Sequence, residues 1–299
     1  MTDLSVRLQQ VRARMDELLP AAVQQLQSRD PRLADAMVYG LLNGGKRLRP
    51  VLALAAAEAV GGSAVAAETA AVAMEMIHSY SLIHDDLPAM DDDDLRRGKP
   101  TTHIAFDEAT AILAGDGLLT GAFEVLLADD SLQPQQALAI SRVLAQAAGA
   151  AGMVGGQSID LGHVGKAMTL AELEYMHRGK TGALIRASVQ MGAMAACWPL
   201  SEQQQQALTA YADAIGLAFQ VQDDILDVEG DTATLGKQAG ADLALNKPTY
   251  PALLGMDQAR AKAAELVAQA HAALQPLQAQ GGEIGLLQQI ADYVIERDH

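Results

Sequence analysis

Apolar residues return every three to four positions along almost the whole chain, the period of α-helices buried on one side. A first amphipathic helix reads from about Leu4 to Leu19 and stops at Pro20, and a second from Pro31 to Asn43, where Asn43-Gly44-Gly45 supplies a C-terminal signal. Pro50 opens a third, closing near Gly61-Gly62. A long apolar helix is predicted from Ala64 to Asp86; Pro88 breaks it and the charged loop 91–100 follows. Further helices are predicted over about 103–128, 134–150, 170–195, 201–229, 248–272 and 283–297. Ala111–Leu127 and Ala183–Cys197 are apolar on nearly every side, as helices at a bundle centre or a subunit interface are. No Pro/Ser-rich linker and no fixed-period repeat divides the chain, so residues 1–299 read as one domain.

Composition agrees with an all-α fold. Aromatic residues make up 3% of the chain, and Ala, Leu, Met and Gln, which favour helices, are abundant. The formal charge is −16, which disfavours nucleic acid and anionic membrane surfaces as partners. Against that background two short basic islands stand out, GGKRLRP (44–50) and RRGK (96–99), and they suit a small anionic ligand better than a polymer. Cys197 is the one cysteine, reads as core, and fits a reducing compartment. The N-terminal stretch lacks the apolar core of a signal peptide, and the apolar run near 187–200 is too short for a membrane span, so a soluble cytoplasmic protein is expected.

The chemistry is concentrated in two carboxylate clusters. In HDDLPAMDDDD, Asp85 and Asp86 close the long helix and Asp91 follows after four residues. Carboxylates crowded at a helix C-terminus oppose the macrodipole and one another, and a divalent cation offsets that repulsion. In FQVQDDILD, Asp223 and Asp227 stand four apart on one helix face among apolar neighbours. Two such clusters suggest carboxylate walls facing across one cavity in a bundle.

These motifs resemble the trans-isoprenyl diphosphate synthases, most closely the bacterial farnesyl diphosphate synthases. GGKRLRP, Met74-Glu75-Met76-Ile77-His78, DDLPAMD, RRG, GKTGALI, FQVQDDILD, GDTATLGK and NKPTYPALLG follow in family order over nearly the whole chain. The resemblance implies a bundle of about ten or more helices around a central cavity, and condensation of isopentenyl diphosphate with dimethylallyl and geranyl diphosphate to farnesyl diphosphate and pyrophosphate. It implies three Mg2+ ions, with Mn2+ as a substitute, held by Asp85, Asp91 and Asp223. Asp86, Asp224 and Asp227 would act through water or as supports. Lys46, Arg49, His78 and Arg97 would hold isopentenyl diphosphate. Arg96, Lys180, Lys237 and Lys247 would hold the allylic diphosphate, with Thr181 and Gln220 facing the reacting chain, and Gln157 and Asp160 in supporting roles. Tyr80 and Ser81 would form the floor that sets product length. A homodimer paired through 111–127 is implied too.

Arg47 reads as a surface residue, Asp92–Asp94 as a solvated charge run, and His84, His103, His163 and His177 as structural. Three other readings explain less. A class I terpene cyclase needs neither GGKRLRP nor a second aspartate motif. A phosphohydrolase built on His78 and His84-Asp85 leaves DDILD unused, and a non-enzymatic metal-binding bundle leaves both basic islands without a role. Geranyl or geranylgeranyl diphosphate remains an alternative product within the family.

Overall fold

The computed structural model describes residues 3–229 and 248–297. Its core is a bundle of antiparallel and crossing helices: α1 (Asp3–Gln25), α2 (Pro31–Leu41), α3 (Leu48–Ala59), α4 (Glu68–Asp85), α5 (Thr102–Ala105), α6 (Glu108–Leu127), α7 (Pro134–Ala148), α8 (Met153–Gly162), α9 (Leu170–His177), α10 (Ala183–Ala196), α11 (Glu202–Glu229), α12 (Tyr250–Leu254), α13 (Met256–Ala279) and α14 (Gly285–Glu296). The strongest pairings are α11 with α13, α10 with α3, and α4 with α6. Small residues permit the closest of these approaches. A Cβ on Gly192 of α10 would lie 2.0 Å from the Ala53 carbonyl oxygen of α3.

The helical reading holds, with boundaries moved for local reasons. Pro20 does not end α1 but lies inside it. Met15, Leu19, Ala22 and Val23 are buried on both sides of it, and that packing outweighs the one hydrogen bond that proline removes. Pro50 is the third residue of α3 rather than its opening, a place where the backbone N–H would lack an intrahelical partner anyway. The segment 64–67 is a 3-10 turn ahead of α4. The predicted 103–128 helix is two, because Asp107 caps α6 through the Thr110 N–H at 2.8 Å. Gly255, at φ +83°, separates α12 from α13. The charged loop contains a small antiparallel pair, β1 (Leu95–Arg96) with β2 (Lys99–Pro100).

Helix α6 is long and apolar enough to cross a membrane by length and composition. Its Ala111, Ala114, Leu118 and Ala122 are buried in the bundle, while Ile112, Leu113 and Leu127 are exposed. One face therefore belongs to the core, and the other exposes Ile112, Leu113 and Leu127 among Asp116, Thr120 and Glu124.

Candidate active site

The first aspartate cluster stands at the end of α4 and the second lies within α11. Asp85 closes α4, and the loop turns back so that the Asp91 N–H donates to the Asp85 carbonyl at 2.9 Å. Burial, with Asp91 nearby, pushes the Asp85 carboxyl up to about 6, although Lys180 pulls the other way. The Gln157 amide donates to Asp85 Oδ1 at 2.9 Å. Gln157 stands on α8, a helix absent from the predicted set. Gly156 is required there: a Cβ on it would meet the Lys180 amide nitrogen at 2.1 Å.

Lys180 and Thr181 occupy a π-helical turn, Arg178–Gly182, that joins α9 to α10. Such turns widen the helix and re-aim side chains, often at functional sites. Lys180 Nζ donates to Asp160 Oδ2 at 2.7 Å and also acts on Asp85. Asp86 is buried and holds Arg96, whose Nε donates to it at 2.7 Å, so it orients Arg96 beside Asp85.

On α11, Asp223 is ion-paired with the Arg297 guanidinium, which also donates to the Phe219 carbonyl at 3.0 Å and lies 3.9 Å over the Phe219 ring. Asp224 is buried and accepts the Tyr250 N–H at 2.8 Å. Asp227 stands half-buried one turn beyond Asp223 on α11. Gln220, one turn ahead of Asp224, has its Nε2 3.0 Å from His177 Nδ1. Burial moves His177 down to about 4, so it is neutral at physiological pH. Lys237 and Lys247 lie outside the described residues.

Cations gather beside the end of α4. A pocket lined by Arg47, His78, Arg96 and Arg97 opens beside the N-terminus of α3, which lacks a side-chain cap and so leaves backbone donors for an anion. Arg97, at φ 54°, bends its guanidinium onto the Gly44 carbonyl. Gly45 leaves the room, since a Cβ there would sit 2.4 Å from Arg97 Nη1. Burial and the positive field of Arg49, Arg97, Arg96 and Arg47 hold His78 well below its usual range. Arg49 is lowered by burial, with Glu75, Arg97 and Asp223 acting on it, and Lys46 by burial, with Arg297, Asp223 and Arg97. All four expected diphosphate ligands thus share one electrostatic neighbourhood that reaches Asp223.

Arg47 corrects the surface reading. It is 4% exposed, the N-cap of α3, and donates to Glu75 Oε1 at 2.6 Å and to the Leu41 carbonyl at 2.7 Å. His84 turns away from Asp85, with Nε2 3.0 Å from the Ile112 carbonyl and room made by Gly115. Tyr80 is buried edge-on to His84 at 5.7 Å. Ser81 lies one turn before Asp85 on the same bearing and donates to the His78 carbonyl at 2.8 Å.

The donor set suits Mg2+. Among the described residues no three carboxylate, imidazole or thiol groups form a preformed cage. What the site offers is carboxylate oxygens at the end of α4 and on α11 with cations beside them, an arrangement that leaves coordination positions for phosphate oxygens and water.

Residues 30–292 match the family model described as Polyprenyl synthetase. The chain is 53% identical to the farnesyl diphosphate synthase of Haemophilus influenzae over 266 residues, covering 89% of this chain and 90% of that one. It is also 53% identical to the farnesyl diphosphate synthase of Escherichia coli over 268 residues, 89% of each. The crystal structure of an FPP/GFPP synthase from Zymomonas mobilis aligns with a TM-score of 0.85 at 38% identity, covering 98% of this chain and 99% of that one.

Proposed function

The chain belongs to the polyprenyl synthetase family, and on that premise we propose that it is a divalent-metal-dependent prenyltransferase that condenses isopentenyl diphosphate with dimethylallyl and then geranyl diphosphate, releasing pyrophosphate and stopping at farnesyl diphosphate. The observation that supports this reading is the buried cation cluster of Lys46, Arg49, His78 and Arg97, which feels Asp223 on α11, with Arg96 next in it paired to Asp86 beside Asp85 at the end of α4. Asp85, Asp91 and Asp223 would hold three Mg2+ ions. When bound, these supply Lewis-acid neutralisation of the leaving diphosphate.

Arg96 and Lys180 add positive charge to the allylic diphosphate, each oriented by a carboxylate, Asp86 and Asp160. Lys237 and Lys247 complete that set by family resemblance. Asp223 shares or gives up Arg297 as it takes a metal. Lys46, Arg49, His78 and Arg97 hold the second diphosphate without metal, and neutral His78 can donate one N–H to it. As the allylic C–O bond breaks, Thr181 and Gln220 face the developing cation. The double bond of isopentenyl diphosphate attacks, and the proton then lost passes to the released pyrophosphate. Incubating the protein with labelled isopentenyl and dimethylallyl diphosphates, with Mg2+ and with a chelator, tests the reading. Fifteen-carbon alcohol after phosphatase treatment, absent with chelator, is expected; no chain elongation with Mg2+ would sink it.

The two diphosphate pockets should separate by mutation. Arg49→Ala removes a charge-assisted contact worth about 1.5–3 kcal/mol, so affinity for isopentenyl diphosphate should fall about ten- to a hundredfold with the allylic substrate little changed. Arg96→Ala should do the reverse, and more severely, because it also leaves the buried Asp86 unpaired. Michaelis constants for both substrates in both variants decide this, and equal effects would mean the pockets are misassigned.

Product length is assigned to Tyr80 and Ser81. The prenyl tail would lie back along α4 from Asp85, with small Ser81 leaving room and Tyr80 closing the floor. Burial of Tyr80 against His84 supports a fixed obstacle. Tyr80→Ala should release products longer than fifteen carbons; a fully active variant that still stops at fifteen would move the floor elsewhere. The chain is taken as one cytoplasmic domain over 1–299. It pairs as a homodimer through the helix over 111–127, whose Ile112, Leu113 and Leu127 are exposed; light scattering reads this directly.

A further inference from the structure

Gln220 has one amide and two ends, and which end faces the cavity decides whether it can stabilise positive charge. Its Nε2 meets His177 Nδ1 at 3.0 Å. With the Gln220 amide nitrogen against it, Nδ1 accepts when the imidazole proton sits on Nε2. The neighbourhood selects that tautomer. Asp224 Oδ2 lies 4.0 Å from His177 Nε2, and Asp224 is itself fixed by the Tyr250 N–H at 2.8 Å. A proton on Nε2 faces the carboxylate favourably, whereas a bare lone pair would be repelled by it. The ring cannot easily turn to exchange its nitrogens. It stacks on Tyr250, with centroids 5.9 Å apart and planes 13° apart, and His177 and Tyr250 are both buried.

We propose that His177 is a positioning residue for prenyl transfer: its unprotonated Nδ1 holds the Gln220 amide nitrogen, so that the Gln220 carbonyl oxygen is the end presented to the reacting allylic carbon. The chain of control runs from the Tyr250 N–H through Asp224 and His177 to Gln220. A carbonyl dipole pre-aimed at developing positive charge lowers the barrier without reorganising during the reaction. An amide free to turn would present its N–H groups part of the time and oppose that charge. His177 immediately precedes the π-helical turn that carries Lys180 and Thr181, so one segment supplies the diphosphate cation and the orienting imidazole. This inference rests on the proposed placement of Gln220 beside the reacting chain.

The test is a double-mutant cycle with a spectroscopic arm. His177→Phe keeps a ring on Tyr250 but removes the acceptor. It should lower kcat about 10- to 100-fold with both Michaelis constants changed less than about twofold. His177→Asn, which restores an acceptor near the Nδ1 position, should recover most of the loss. In a Gln220→Leu background, His177→Phe should cost little more, because the group it orients is gone. Nitrogen NMR of histidine-labelled wild type should find His177 protonated on Nε2. Additive losses in the cycle, equal impairment of the Phe and Asn variants, or a proton on Nδ1 would overturn the proposal. Absence of prenyl transfer by the wild type in the same assay would instead sink the proposed function, leaving the tautomer to be read from the spectrum.

Discussion

Asp85→Ala and Asp223→Ala each lower turnover about a thousandfold or more, with the helical fold retained. Each removes an oxygen ligand from one wall, and metal stabilisation of a leaving diphosphate is worth several kcal/mol, which at about 1.4 kcal/mol per decade gives losses of this size. The fold should survive because each carboxylate gives up few polar contacts, the Gln157 amide for Asp85 and the Arg297 guanidinium for Asp223, while the buried apolar faces of α4 and α11 are untouched. Asp85 is pushed up to about 6 by burial beside Asp91, so its removal relieves the metal-free protein of a poorly solvated charge. Asp223 is half-buried and ion-paired with Arg297, just past the end of α14. Steady-state rates alongside far-UV circular dichroism check both halves. Near-normal turnover in either folded variant would refute the metal assignment.

Arg47→Ala has the largest expected effect on stability. Its guanidinium is 2% exposed and pairs with the Glu75 carboxylate, itself 5% exposed. It also satisfies the Leu41 carbonyl at the end of α2. Removing the cation leaves Glu75 charged and buried without its partner, a change that costs about 3–5 kcal/mol. The loss also unties α2, α3 and α4 from a common point. Urea unfolding at fixed protein concentration should show the midpoint fall accordingly. A change within about 0.5 kcal/mol, as for a surface substitution, would return Arg47 to the solvent. Arg47→Met should be less damaging in the double variant with Glu75→Leu, since an apolar pair of similar volume carries no desolvation cost.

The parts of the site legible in the sequence are those whose chemistry is local. Asp85, Asp86 and Asp91 crowd one helix end, Asp223 and Asp227 share one helix face, and the basic islands stand out against an acidic chain. Each carries its meaning within about ten residues. What escaped depends on partners far apart in sequence. Arg47 looked like a solvated cation because Glu75, which buries it, lies 28 residues on. The contact of His177 with Gln220 joins residues 43 apart. The contact of Arg297 with Asp223 spans 74 residues.

Helix boundaries failed where tertiary packing overrode a local signal. Burial of residues flanking Pro20 carried α1 through it. Helix α8 was not predicted, and its Gly156 is there because the Lys180 backbone approaches too closely for any side chain. The π-helical turn at 178–182 has no composition signal of its own, yet it sets where Lys180 and Thr181 stand. The family resemblance supplied the roles that geometry alone would have left open, most of all Gln220, Thr181 and the chain-length pair.

The central claim is that the carboxylates ending α4 and those on α11 hold one diphosphate through divalent metal. Crystals of the protein soaked with Mn2+ and inorganic pyrophosphate test it most directly, by anomalous scattering from the metal. The expected result is manganese bridging the pyrophosphate to Asp85 and Asp91 on one side and to Asp223 on the other, with Arg297 displaced from or sharing Asp223. Pyrophosphate bound with no manganese at either wall, or manganese on one wall with Asp223 still closed by Arg297, would contradict it.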